Sequence, residues 1–395
     1  MRRTVLLLAS MAVAMLLACG VALALPSGTP DKTPMVNGTV RAIEQVGTNI
    51  WLGGKFTQVK QCSNPNKPTL NVSNLAVIDS NTNECKNFPL PTLGGTGSEV
   101  WDMTLYGEDV LIAGKFSSGS SSTQKNLVLV NGKSGDVIRW YNSPSLKSVL
   151  AAPDLGRVYG GGVSLTAFDK DSGTKVWTKA KTTVNTTRYP DAPSPGYRDL
   201  ELDGQTIWAA CACDAVGGKA AKVLVKLRAT DGEQDTSWLA QADPASWGMS
   251  LVEDNGALYL GAGGSDYLAK YDKSAGGSRA WRADTSGSVQ VVEVMDGQLV
   301  IGGHFWEVAK ESLNQFDESC GHGRADELDP DDKCETRKGI AAYSPAGVLN
   351  PDWSPTYAGK YSLVWALHVD GTRLHTGGEF LTVNGVTQNY YARLS

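Results

Sequence analysis

Apolar residues in this chain fall into short β-branched and aromatic runs bounded by Gly, Asn and Asp, the pattern of strands joined by tight turns. One run recurs. Ile50-Trp51-Leu52-Gly53-Gly54-Lys55-Phe56 returns as Val110-Leu111-Ile112-Ala113-Gly114-Lys115-Phe116, as Leu299-Val300-Ile301-Gly302-Gly303-His304-Phe305 and as Leu374-His375-Thr376-Gly377-Gly378-Glu379-Phe380. Looser copies lie at 158–162, 207–213 and 258–264. A phrase repeated at long period along a whole chain is the mark of a solenoid or propeller.

Each unit has the same grammar. An inner strand such as Thr39-Val40-Arg41-Ala42-Ile43 is followed by a Gly-bearing turn, then the Gly-Gly strand. A third strand resembles Asn74-Leu75-Ala76-Val77-Ile78-Asp79, and a short fourth strand carries an aromatic: Phe88, Trp140, Trp177, Trp238, Trp281 or Trp353. Four antiparallel strands repeated radially make a propeller blade, so the pattern predicts an all-β, seven-bladed propeller with blades at 35–93, 97–144, 145–183, 197–243, 245–286, 287–357 and 359–395. The last blade runs out after three strands. The stretch 25–35, with Pro26, Pro30 and Pro34, is the expected donor of its outer strand, because proline is tolerated on an edge. The fourth-strand aromatics are expected to pack between neighbouring blades, each burying roughly 150–250 Å².

Composition agrees with many short strands: 44 Gly and 19% charged residues in 395. A formal net charge of −5 with no Lys/Arg block longer than two argues against nucleic acid as a partner. Arg2 and Arg3 precede an uncharged stretch over 5–25, and Ala22-Leu23-Ala24 offers a small-x-small cleavage site, so 1–25 reads as a signal peptide and 26–395 as one propeller domain. Two alternatives stay open: Leu16-Leu17-Ala18-Cys19 has the form of a lipobox, and the run is long enough for an uncleaved anchor. All three place the body outside the cytoplasm, secreted or at the cell surface, touching a membrane only through this segment. Setting Cys19 aside leaves six cysteines in an oxidising compartment, and proximity suggests the pairs Cys62–Cys85, Cys211–Cys213 (a small strained bridge, or free thiols) and Cys320–Cys334.

The pairing of Gly-Gly-x-Phe at 53–56 with Asn-Leu-Ala-x-x-Asp at 74–79 resembles the delta-60 repeat propellers of secreted bacterial proteins and the ectodomain of fungal cortical polarity markers. A second, local likeness runs from Ala167 to Trp177, where Asp169, Gly173 and Trp177 match the tryptophan-docking repeat of quinoprotein propellers. That resemblance implies a structural lock between blades and no quinone; quinone-binding relatives commonly have two adjacent cysteines and eight blades, whereas this chain has Cys211-Ala212-Cys213 and seven units.

In a propeller the connections between second and third strands leave one face. Here they are long at 57–73, 117–125, 306–338 and 381–388, which gathers them along one arc, the candidate binding surface. Lys55, Lys115, His304 and Glu379 lead into it. On the inner strands Arg41, Trp101, Arg198, Trp247 and Trp365 read as equivalent positions, with Asp102 and Asp199 one step on; a ring lining a channel and ordinary interblade packing with ion pairing explain them equally well. No cofactor is expected; calcium is the one alternative, at Asp326, Asp329 and Asp331, although their spacing is not that of an EF-hand. Four histidines form no metal-binding motif, and no nucleophile elbow or phosphate loop is present. The sequence therefore reads as a non-catalytic binding scaffold for an extracellular protein or glycan. The alternative is a secreted enzyme, either a quinone-type oxidoreductase or a glycan-active one, since one fold hosts many functions. Sequons at Asn37, Asn71 and Asn185 accept glycans only in a host with that machinery.

Overall fold

The structure, a computed structural model, describes residues 25–119, 124–190, 192–312, 333–359 and 363–395. Residues 1–24, read from sequence as a leader, together with Cys320 and the acidic residues Asp326, Asp329 and Asp331, lie outside the described residues. Among the described residues almost every element is a strand, and the one helical turn is Pro153–Leu155. Among the described residues no helix is long and apolar enough to cross a membrane.

The fold is all-β and propeller-like. Seven principal antiparallel sheets follow one another along the chain, here called I to VII. Their innermost strands are Thr39–Val46, Leu93–Tyr106, Ser148–Ala152, Gly196–Asp203, Trp247–Asp254, Val289–Met295 and Val364–Asp370. Sheets II, III and V have four full strands; in I, IV and VI the fourth is reduced to one bridge, such as Ile78 with Cys85. In sheet VII the outermost partner comes from the other end of the chain. Pro30 bridges Leu394, Ser27 N–H donates to the Ser395 carbonyl at 3.0 Å, and Asp31 N–H donates to the Arg393 carbonyl at 2.8 Å. Innermost strands of successive sheets touch in chain order, and that of sheet VII touches that of sheet I.

The Gly-Gly repeat has a physical cause. A Cβ on Gly377 would stand 2.5 Å from Cγ1 of Val40 on the next sheet, and one on Gly302 would stand 2.6 Å from Cγ1 of Val364. The first glycine of the pair makes room for the neighbour's valine. The second makes room for a carbonyl of its own innermost strand, that of Leu363 at Gly378 and that of Ser288 at Gly303. Two residues on, the Phe ring lies against the same bare glycine: Phe305 against Gly303 and Phe380 against Gly378. Cys211 and Cys213 stand at the corresponding places of sheet IV, joined to each other in the space that Gly and Phe share elsewhere.

The fourth-strand aromatics also bind sheets together. Trp177 Nε1 donates to the Thr230 carbonyl of sheet IV at 3.0 Å, and Trp281 Nε1 to the Pro345 carbonyl of sheet VI at 3.2 Å. The Trp177 ring covers Gly232, where φ is +71° and a Cβ would meet the ring at 2.7 Å. Only glycine satisfies both the left-handed backbone and the ring above it. Trp353 Nε1 donates to the Pro26 carbonyl at 2.8 Å, so the same device ties sheet VI to the N-terminal stretch.

Three regions expected as plain loops contain structure. Gln58–Lys60 and Thr69–Asn71 form a ribbon with Met35–Val36; Thr382–Val383 and Val386–Thr387 form one with Tyr357–Ala358; and Glu307–Ala309 pairs with Cys334–Thr336 at the base of the 306–338 insertion. A fourth ribbon, Thr182–Thr183 with Ala215–Val216 and Lys219–Ala220, stands on sheet IV, outside the arc expected from sequence. Cys62 is joined to Cys85, and Cys334 is disulfide-bonded.

Candidate functional site

A cavity of about 350 Å³ lies where all seven innermost strands meet and is lined by residues from each of them. Its lining is set by a repeated irregularity. In six of the seven strands the ladder slips by one residue, at Arg41, Trp101, Arg198, Met249, Gln290 and Trp365. The extra residue of a bulge is left unpaired and re-aimed, and every one of these six lines the cavity. The fifth member is therefore Met249. Trp247, the residue expected there, precedes the slip, pairs with Gly263 and packs its ring edge-on against Tyr189. Sheet III has no bulge and contributes Lys147 just ahead of its strand.

These positions lie near the end of the sheets from which the long connections leave, since Thr39 pairs with Lys55 there and Val46 with Asn49 at the other end. The mouth on this loop face is cationic and aromatic. The Arg41 guanidinium sits between the Trp101 and Trp365 rings, 4.1 and 4.2 Å from their centroids. It is paired with Glu99, and Glu379 stands 4.0 Å away. Glu379 accepts from Thr39 Oγ1 at 3.1 Å. Lys147 Nζ lies over the Trp101 ring. Arg198 donates from Nη2 to the Ser194 carbonyl at 3.0 Å and makes no ion pair among the described residues. Burial, with Arg198 and Arg41 nearby, pulls Lys147 down to about 7; burial and Arg41 lower Arg198 as well.

One residue deeper, Asp102 and Asp199 staple neighbouring strands. Asp102 accepts the Val149 amide at 2.7 Å, and Asp199 accepts the Leu251 amide at 2.8 Å and Ser250 Oγ at 3.1 Å. Their other oxygens accept the Met103 and Leu200 amides. Burial, opposed by these amide bonds, raises both carboxyls, and Asp199 raises Asp102 further.

Toward the tight-turn face the lining is acidic. Glu44, Glu201 and Glu293 each stand three residues beyond a bulge, as does His368. Burial pushes Glu44 and Glu201 up to about 8 and Glu293 to about 7, with Glu293 adding to the rise at Glu44 and Glu201. His368 Nε2 shares a hydrogen bond with Gln45 Oε1 at 3.1 Å, and its cross-strand partner His375, buried, meets the Tyr391 hydroxyl at 2.8 Å. Burial lowers both histidines, so these are two neutral rings, each hydrogen-bonded to a partner of its own.

Lys55, Lys115 and His304 are exposed on the loop face, apart from the cavity lining, and Lys115 lies opposite Glu99. Lys55 also borders a second cavity of about 390 Å³ between sheets I and II, lined by Asn37, Thr57, Ser73, Asn74 and Ser98 among others. Among the described residues no group of three or more His, Cys, Asp or Glu is placed to hold a metal. Sequence reasoning missed Lys147, Met249 and the three glutamates. The glutamates had a signal: each follows a bulge residue at the same offset as His368.

Comparison with solved structures shows a likeness of fold at low identity. The chain is similar to the computationally designed Ika8 protein, with a TM-score of 0.52 and 11% identity over 93% of this chain and 99% of that one. It also aligns with BamB from Moraxella catarrhalis at a TM-score of 0.46 and 11% identity, covering 92% and 97% of the two chains. No family model matches the sequence, and no curated protein does.

Proposed function

We propose that this protein is an extracytoplasmic, non-catalytic scaffold that holds a protein or glycan partner on the loop face of a closed seven-bladed propeller. The observation that carries the reading is the asymmetry of the axial cavity. One mouth opens among the long connections and gathers Arg41, Lys147, Arg198, Trp101 and Trp365, a cationic and aromatic set suited to gripping a partner. Closure into seven blades is supported by the contact between innermost strands of sheets VII and I and by Val40 seated against Gly377. An exported location is supported by the Cys62–Cys85 bridge and the buried Cys211–Cys213 bridge, since structural disulfides persist in oxidising compartments. The delta-60 likeness rests on the Gly-Gly-x-Phe and Asn-Leu-Ala-x-x-Asp phrases.

Lys55, Lys115, His304 and Glu379 form the outer rim of the proposed surface, with Arg41 and Arg198 at its centre; Asp102 and Asp199 keep the strands beneath in register. The test is a glycan array and a partner capture from extracellular fractions with purified residues 26–395, repeated with 306–338 replaced by a short linker. Specific retention that weakens on the replacement supports the reading. An empty array and an empty capture with folded protein reject it.

A further inference from the structure

We infer that the loop-face mouth of the axial cavity is a carboxylate-binding site that takes an acidic side chain of a peptide segment from a protein partner. The inference rests on the scaffold reading above and names the chemistry of its partner.

Three cations converge on this mouth, Arg41, Lys147 and Arg198, and of these Arg41 alone forms ion pairs among the described residues, with Glu99 and Glu379. Lys147 and Arg198 are half-buried and form no ion pair among the described residues. Withdrawing a cation from water without a counter-ion is unfavourable, and an incoming anion would relieve that cost. The atoms left without partners here are all donors: Arg41 Nη1, Arg198 Nε and Trp365 Nε1. A carboxylate brings acceptors only and matches that set, whereas sugar hydroxyls need acceptors as well as donors. The cavity, about 350 Å³, is deep enough for a long acidic side chain, and the Trp101 and Trp365 rings flanking Arg41 shield the ion pair from water.

Binding also draws protons. Lys147 is faced by Arg198, Arg41 and Lys115, which disfavour its charge, and by Glu99, which favours it. A carboxylate beside it raises its pKa from about 7, so the complex takes up a proton on binding above about pH 7.

The experiment is isothermal titration of the protein, residues 26–395, with N-acetylated, C-amidated hexaglutamate at low salt, alongside hexaglutamine and trigalacturonate. Expected are binding of hexaglutamate alone, a loss of at least about tenfold in Arg198→Gln and in Lys147→Gln, retention in Lys147→Arg, and a tightening as pH falls from 9 to 6. Wild-type protein compared in two buffers of different ionisation enthalpy should show proton uptake at pH 7.5, which needs no variant to fold. The inference is overturned if hexaglutamate and hexaglutamine behave alike, if trigalacturonate alone binds, if both Gln variants keep full affinity, or if no proton is taken up. Failure of hexaglutamate with a successful partner capture removes this site and leaves the scaffold. Hexaglutamate binding with an empty capture does the reverse.

Discussion

Gly377, on the second strand of sheet VII, rests its bare Cα against the side chain of Val40, on the innermost strand of sheet I. The two residues come from opposite ends of the chain and meet at the junction between first and last sheets. Gly377→Ala puts a methyl group 2.5 Å from Val40 Cγ1, an overpacking that destabilises by roughly 1–3 kcal/mol. The same change in a Val40→Ala background should cost less, because the clash is gone. Denaturant melts of the four proteins check this; simple additivity would show that the two residues do not share the junction.

The N-terminal stretch supplies the edge of sheet VII through Ser27, Pro30 and Asp31, and Asp31 Oδ2 pairs with Arg393 Nε at 2.6 Å. Deleting residues 26–35 exposes the strand Tyr391–Leu394 and removes the acceptor of Trp353 Nε1. A sharply lower melting temperature is expected by calorimetry, with a tendency to self-associate through the freed edge. A melt identical to that of the intact chain would contradict the closure.

Asp199 holds the Leu251 amide across the boundary between sheets IV and V. Asp199→Ala leaves that buried amide and Ser250 Oγ without their acceptor, a loss of roughly 1–3 kcal/mol. Asp199→Asn keeps an acceptor oxygen and should lose less. The ordering of the two variants in urea melts is the check.

The acidic end of the cavity makes stability fall as pH rises. Glu44, Glu201 and Glu293 have folded pKa values raised to about 8, 8 and 7, so between about pH 4.5 and 8 the folded chain binds more protons than the unfolded one. In that window unfolding free energy declines with pH, and Glu293→Gln should flatten the decline by removing one titration and relieving its neighbours. Lys147, lowered to about 7, acts in the opposite sense above that pH, where the folded state holds fewer protons and stability rises. Urea melts at pH 5, 6.5, 8 and 9.5 separate the two; a flat profile through pH 8 with Glu293 intact would reject the assignment.

Cys62 and Cys85 close a loop of 23 residues between the ribbon on sheet I and its outer edge. The double change to Ala should lower stability by about 3 kcal/mol on the chain-entropy view, and reductant should have no further effect at that loop. A melting curve in the presence and absence of reductant tests it.

Much of the fold was legible because each unit repeats a local steric requirement. The Gly-Gly pair must admit a neighbour's valine and a carbonyl, and the turn before the fourth strand must admit an aromatic ring, so these residues recur in the sequence at readable spacing. Arg41, Trp101, Arg198 and Trp365 were legible for the same reason. Trp247 was misplaced because it stands two residues before the slip at Met249, and the position of a bulge is set by the pairing of the strand with its neighbour, which the strand's own sequence does not mark. The ribbon on sheet IV was missed because its strands are two residues long and are held by partners elsewhere in the chain.

By itself the sequence determined the all-β repeat, its strand-and-turn grammar and most of the positions that must be glycine or aromatic, because those follow from local backbone geometry and from contacts that recur between sheets. Only the tertiary structure decided which side chains share the axis. Lys147 reaches Trp101, Glu293 is felt by Glu44, and Arg41 enters the gap between Trp101 and Trp365. Those neighbours lie on different sheets, and their meeting depends on how the sheets are arranged about one another, which no spacing along the chain encodes.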